Sequence, residues 1–288
     1  MNLVVGATGN VGGAVCEALC TPQRPVRAMV RETSDPERVR RLEELGAEIV
    51  YGELRDPPSL ARACDGATTV VSGATAITSI GTDSITAVDR DGQRALVDAA
   101  REAGVGHFIY VSYTGNIDTD DPLTQAKRAV EEQLRASGMA YTILRPTYFM
   151  EMWLGPPLGW DLAGGTARVL GSGEQRVNWI SARDVVAALV ACVDNPDASG
   201  QTIELGGPEA VSPLEAVRHA KAIAGREITI EHVPAAALEQ QIQETAGTDA
   251  SIFPSLMLAP TRSVEIDAAP EWLRPQTTVE EYLRSVVD

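Results

Sequence analysis

The chain of 288 residues is 44% hydrophobic and 22% charged, the make-up of a folded protein with one large domain or a domain and a smaller lobe. Its net charge, 24 − 40 = −16, argues against a nucleic-acid surface, because phosphate backbones are held by clustered Lys and Arg. No apolar run approaches the roughly 20 residues that span a bilayer. The chain opens on strand-like "MNLVV" with no basic segment ahead of an apolar one, so a cytoplasmic protein without a membrane partner is expected.

In chain order, "NLVVGA" reads as a buried strand and "NVGGAVCEALC" as a helix. "PVRAMV" is a strand, and "DPERVRRLEELG" is a helix with Asp35 as its N-cap and Pro36 in first position. "AEIVYG" and "TTVVSG" are strands, separated by the short helix "PPSLARACDG". A long helix ends in "GQRALVDAAREAG", and "HFIYVS" and "YTILRP" flank a helix that carries Lys127. Continuous apolar strands alternating with amphipathic helices predict an α/β fold: a doubly wound parallel-sheet Rossmann fold, with ligands beyond the carboxyl ends of the strands.

After Pro146 the rhythm changes. "LGPPLGWDLAGG" leads into the β-like "ARVLGSGEQRVNWI". "SARDVVAALVACVDNP" is a helix capped by Ser181 with Asp184 at N3, and "QTIELGG" is a strand. "SPLEAVRHAKAIAG" starts with Ser212 as cap and Pro213 at N1. "EITIEHV", "AAALEQQIQET" and "TVEEYLRSVV" complete a small C-terminal substrate lobe. The expected division is a dinucleotide-binding core over 1–150 and a mixed segment over 151–288, of which about 180–207 returns a strand and helix to the core. The pocket is expected where that lobe meets the sheet's carboxyl edge.

Cys16 and Cys20 lie one helical turn apart, but no nearby His or Cys completes a metal set, and His107, His219 and His232 are scattered. With Cys64 and Cys192 they read as small thiols in a reducing compartment, and no metal is expected.

"VVGATGNVGG" is the most informative stretch. Gly6, Gly9 and Gly12 follow the first strand into the first helix. The first glycine allows a sharp turn, the second lets a pyrophosphate approach the backbone, and the third lets helix and strand pack closely. Free N–H groups at the helix start then face the phosphates, with Thr8, Asn10 and Val11 in the turn. The second strand ends in Arg31, where an NAD site usually places an acid for the ribose 2′-OH. A guanidinium there suits a 2′-phosphate, so NADP(H) is expected in preference to NAD(H); the competing reading pairs Arg31 with Glu32 or Asp35. Glu53 and Leu54 fall where an adenine would lie, and Gly73 and Ala74 leave room for ribose and diphosphate.

Together "GATGNVGG", "MVR", "GELRD", "DGQRALVDAAREAGVGHFIYVS", "AKRAVEEQLRASGMAYTILRPTYFMEMW" and "WISARDVVAAL" resemble the atypical short-chain dehydrogenase/reductases. The group resembled most is the NmrA-like NAD(P)-binding proteins, with their quinone and isoflavone reductase relatives. The likeness covers roughly residues 1–210. It implies that Lys127 approaches the nicotinamide ribose and that Thr147, Tyr148, Phe149 and Met150 lie beside the nicotinamide. The group holds both reductases and dinucleotide-binding regulators.

The wider superfamily's acid is a tyrosine four residues before that lysine, and here the position is Leu123. Lys127 could supply a proton if burial depressed its pKa; otherwise it is a solvated lysine paired with Glu131. Tyr113 and Tyr148 are candidate replacement acids, or else walls of an aromatic pocket with Phe149, Met150, Trp153 and Trp179. Ser112 is a candidate to orient a substrate oxygen. The expected reaction is hydride transfer to a small conjugated carbonyl, quinone or related apolar molecule, by a monomer or homodimer. The alternative is a non-catalytic NADP(H) sensor acting through a protein partner.

Overall fold

A computed structural model describes residues 1–79, 83–262, 265–267 and 269–287. In chain order it holds β1 (Asn2–Val5), α1 (Asn10–Leu19), β2 (Val26–Val30), α2 (Pro36–Glu44), β3 (Glu48–Tyr51), α3 (Pro57–Cys64) and β4 (Thr69–Ser72). A π-helical turn, Thr86–Gly92, runs into α4 (Gln93–Glu102), followed by β5 (His107–Val111), α5 (Pro122–Ala136) and β6 (Ala140–Pro146). Then come α6 (Met150–Trp153), β7 (Trp160–Asp161), β8 (Thr166–Leu170), α7 (Ala182–Val193) and β9 (Gln201–Leu205). The remainder is α8 (Pro213–Ala224), β10 (Thr229–Val233), α9 (Ala235–Thr245), α10 (Ile252–Leu258) and α11 (Val279–Val287).

Seven strands form the central sheet in the order β3-β2-β1-β4-β5-β6-β9. Val4 pairs in parallel with Ala28 on one side and Val71 on the other, and Ile109 with Val71 and Thr142. Strand order reverses between β1 and β4, the switch point at which a doubly wound sheet binds its ligand. This is the expected Rossmann-type α/β fold. β1 and β4 are buried along their whole length, with adjacent apolar residues at Leu3–Val5 and Val70–Val71, as suits central strands of a sheet covered on both faces.

The chain divides into two compact units, each gathered from separate stretches: Met1–Ser112 with Pro122–Leu144 and Val186–Ile203, and Tyr113–Asp121 with Arg145–Val185 and Glu204–Asp288. In the first, Leu3, Phe108, Tyr110, Leu96, Val130 and Leu134 belong to one buried cluster. The second contains a three-stranded sheet in which β8 pairs in parallel with β10 and antiparallel with β7.

Local signals set the helix starts. Asp35 accepts the Glu37 N–H at 2.9 Å with Pro36 in the first turn of α2, and Ser212 and Glu215 form a reciprocal capping box at α8. At α7 the cap and the acid sit where expected. Ser181 does cap, accepting the Arg183 N–H, but the Asp184 carboxylate accepts the Thr277 N–H at 2.9 Å, a partner 93 residues away. α6 and α10 were not expected; each is shorter than the periodic pattern that marks a helix in sequence. Among the described residues no helix is long and apolar enough to cross a membrane.

Candidate functional site

In the first unit the glycine-rich turn closes on itself: the Gly9 N–H donates to Gly6 O at 2.9 Å, and the Gly13 N–H to Gly9 O at 2.8 Å. Gly6 has φ +88°, and a Cβ on it would lie 3.1 Å from the Ala74 backbone. A Cβ on Gly12 would collide with the Gly6 carbonyl. A side chain at Gly73 would meet Val111 only at ordinary contact distance, so the fold itself does not require glycine there. α1 begins after Gly9 with no side-chain cap and no acidic residue in its first turn. Its N–H groups and positive dipole end are suited to an anion.

One arginine touches this turn, and two others share an acid. Arg38, from α2, donates to Thr8 O at 2.6 Å and reaches Asn10 Oδ1 at 3.4 Å. Arg31 and Arg55 both face the Asp83 carboxylate, at 3.7 and 3.4 Å, and Arg55 also holds Glu53. Arg31 therefore pairs with Asp83, not with Glu32 or Asp35. The Leu54 side chain packs inward in the unit's core, against the π turn, where a Cβ on Gly92 would lie 2.7 Å from it. Sequence reasoning missed Arg38. The arginine run of α2 was the available signal, but Arg40 and Arg41 pair with Glu37 and Glu17, and periodicity cannot say which of the three faces the turn.

Lys127, on α5, is 5% exposed. Its Nζ lies 3.3 Å from Asp89 Oδ1, 3.4 Å from Val111 O and 5.2 Å from the centre of the Tyr110 ring. Asp89 and Tyr110 are fully buried. Burial alone would push the ammonium down; the Tyr110 hydroxyl and the Asp89 carboxylate more than offset it, and the net shift is upward. That reverses the depressed value a proton-donating lysine would need. Burial likewise pushes Tyr110 up to about 12. The Asp89 contact is an ion pair of imperfect hydrogen-bond angle. Among the described residues, Asp89 Oδ1 and the Tyr110 hydroxyl are two of three buried side-chain atoms without a hydrogen bond of good geometry.

Glu131 does not pair with Lys127. Its buried carboxylate accepts from Arg128 at 2.6 Å, Arg135 at 3.1 Å and the Ser112 hydroxyl at 2.6 Å. Ser112 also accepts from Arg128 at 3.1 Å, so its hydroxyl is engaged on both sides.

The second unit holds the aromatic residues. Tyr148 meets Trp153 edge-to-face at 4.5 Å and Trp179 at 6.0 Å, so these three do come together. The Tyr148 hydroxyl donates to Leu256 O at 2.9 Å; burial first, then Tyr113 and Asp121, hold it well above the usual phenol range. Trp179 Nε1 donates to Val211 O, and Thr147 Oγ1 to Asn178 O. Met150 is fully buried, while Phe149 and Tyr113 are half-buried. A cavity of about 30 Å³ beside Trp153, Trp160 and Trp179 has room for about one water. Among the described residues no cluster of His, Cys, Asp and Glu could hold a metal ion.

A family model described as the NmrA-like family matches residues 2–283. The chain is 32% identical to an NAD(P)H azoreductase of Xenophilus azovorans over 249 residues, covering 86% of this chain and 81% of the relative. It is 28% identical to a photosystem II assembly factor of Trieres chinensis over 239 residues, 81% of this chain and 72% of that one. An NADPH-dependent quinone oxidoreductase of Escherichia coli, solved with NADPH, shares the fold with a TM-score of 0.81 at 21% identity over the whole of both chains.

Proposed function

The chain belongs to the NmrA-like family, and on that premise we propose that it is an NADP(H)-dependent reductase that delivers a hydride to a small conjugated carbonyl, quinone or related apolar acceptor. The observation that carries the reading is the joint presence, in one unit, of an uncapped helix N-terminus behind a turn that only glycine can form, an arginine on that turn, a second arginine at the end of β2, and a buried ammonium at the end of β5. The azoreductase relative supports the reductase class. NADPH, when bound, supplies the hydride; the chain supplies binding, orientation and exclusion of water. The diphosphate would lie on the first turn of α1, and Arg31 and Arg38 would hold the 2′-phosphate, Arg31 by exchanging Asp83 for it. Lys127 would face the nicotinamide ribose. In the second unit Phe149 and Tyr113 are half-buried, whereas Tyr148, Met150, Trp153 and Trp179 are buried. With Leu123 in place of the tyrosine and Ser112 already engaged, an activated acceptor that needs little acid catalysis suits the site.

The test is NADPH oxidation followed by absorbance over quinones, enones, azo dyes and aldehydes, with NADPH and NADH binding measured alongside. The expected result is acceptor-dependent oxidation and tighter binding of NADPH than NADH. Failure to bind either dinucleotide overturns the proposal. Tight NADPH binding with no oxidation across the panel favours the second reading, a dinucleotide-binding regulator, which rests on Leu123 and on the assembly factor among the relatives.

A further inference from the structure

Asp89 plays no part in what the sequence suggests, yet the two halves of the first unit's site converge on it. It sits in the π turn Thr86–Gly92 and is fully buried. Its Oδ2 accepts the Ala76 N–H at 2.8 Å, and its Oδ1 lies 3.3 Å from Lys127 Nζ. Ala76 belongs to the segment that leaves β4, the same segment whose Ala74 backbone packs on Gly6. Gln93, also fully buried, fixes that segment from the next turn: its amide donates to Ala74 O at 2.8 Å and accepts the Ser72 hydroxyl at 2.8 Å. The wider winding of a π turn, a feature often found at functional sites, carries both side chains to the end of β4. A buried carboxylate is costly unless paired, and here each of its oxygens has a different task.

We infer that Asp89 is a positioning residue of this site: its two oxygens tie Lys127 to the segment that follows β4, so that the cation and the dinucleotide cradle are held in one register. The inference rests on the reading of the site as one for NADP(H). Lys127 is then a fixed cation and a hydrogen-bond donor toward a ribose, and not a source of protons. The groups that face its ammonium are Asp89 from the π turn and Tyr110 from β5, with Glu131 one turn along its own helix and neutralised by Arg128 and Arg135.

The chain contains two lysines, Lys127 and Lys221, so lysine labelled with 13C at Cε gives two side-chain signals, assigned with Lys221→Arg. In the wild type Lys127 should keep its charge above the ordinary lysine range. Asp89→Asn keeps an acceptor for the Ala76 N–H but removes the charge. It should lower the Lys127 titration midpoint by about one pH unit or more, a tenfold loss of proton affinity, and move the alkaline limb of the turnover profile with it. NADPH affinity should stay within about threefold, whereas Asp89→Ala, which removes both tasks, should lose about tenfold or more. An unchanged Lys127 midpoint in the Asn variant, or wild-type NADPH affinity in the Ala variant, overturns the inference. If Asp89→Asn does not fold, folding of the Asp89→Asn/Lys127→Met double variant upholds the pairing, and its failure to fold overturns it. Absence of NADPH binding by the wild type removes the functional reading, whereas the NMR titration of the free protein decides the ion pair by itself.

Discussion

The glycine-rich turn and the Lys127 cluster lie at the carboxyl ends of β1 and β5 in the same sheet, and they are built in opposite ways. The turn is made of backbone: Gly6, Gly9 and Gly12 lie within seven residues of chain, and their chemistry is that of N–H groups and missing side chains. The cluster is made of side chains from a π turn, a strand and a helix, with Asp89 and Lys127 38 positions apart in the chain. The first kind of site depends on what is left out and tolerates no addition. The second depends on a balance of buried charge and tolerates no removal.

The variants that separate these two constructions follow from that balance. Lys127→Met should have the largest effect, about 3–5 kcal/mol of stability at neutral pH, because it leaves Asp89 buried without its cation. The sign with pH is definite. An unpaired buried carboxyl binds its proton more tightly in the folded than in the unfolded chain, so the deficit is absent in acid, below about pH 4, and grows as pH rises. Urea denaturation at several pH values checks it, and a deficit independent of pH would break the comparison. Gly12→Ala should follow, at about 1–3 kcal/mol, since the new methyl meets the Gly6 carbonyl and one of the two must move. Its loss of NADPH binding should exceed its loss of stability, by calorimetric titration beside thermal unfolding. Arg38→Ala should weaken NADPH about tenfold, or about 1.4 kcal/mol, and leave NADH within about twofold, as seen by quenching of intrinsic fluorescence. Equal loss for both would assign Arg38 to the turn alone. Tyr148→Phe should be the smallest, at about 1 kcal/mol, for the hydrogen bond to Leu256 O, with turnover changed less than about twofold. A large fall in turnover at unchanged stability would restore Tyr148 as an acid.

The same contrast explains how much could be read in advance. β1, α1 and the glycine turn are legible because each depends on residues within one turn of one another: an apolar run, a glycine spacing, a helix start. The doubly wound parallel character of the sheet is legible from the alternation of strand and helix, whereas the order of its strands is set by pairing that only the structure shows. Arg38, Asp89 and Tyr110 were not legible, because what makes each of them matter is a partner brought near by packing. "VDRDG" offers two aspartates, Asp89 and Asp91, of equal standing in sequence; the winding of the π turn buries the first and leaves the second paired with Arg90 at the surface. Asp184 shows the same limit at smaller scale, since its place at N3 is read from the local spacing but its partner, the Thr277 N–H, is 93 residues away. Of the aromatics read as a pocket wall, Tyr148, Trp153 and Trp179 lie in ring contact, and their burial, which sets them apart from half-buried Phe149 and Tyr113, was not legible.

The strand order also has a meaning in time. β6 ends at Pro146 and is covered on its outer side by β9, which ends at Leu205, 59 residues later. At a ribosomal rate of about 5–20 residues per second, the sheet spends about 3–12 s of synthesis with six strands and β6 as its bare border. Unpaired N–H and C=O groups on such a border invite pairing with another nascent chain. A slowed ribosome between residues 147 and 205 would lengthen that interval, and a chaperone that shields strand edges would matter most within it.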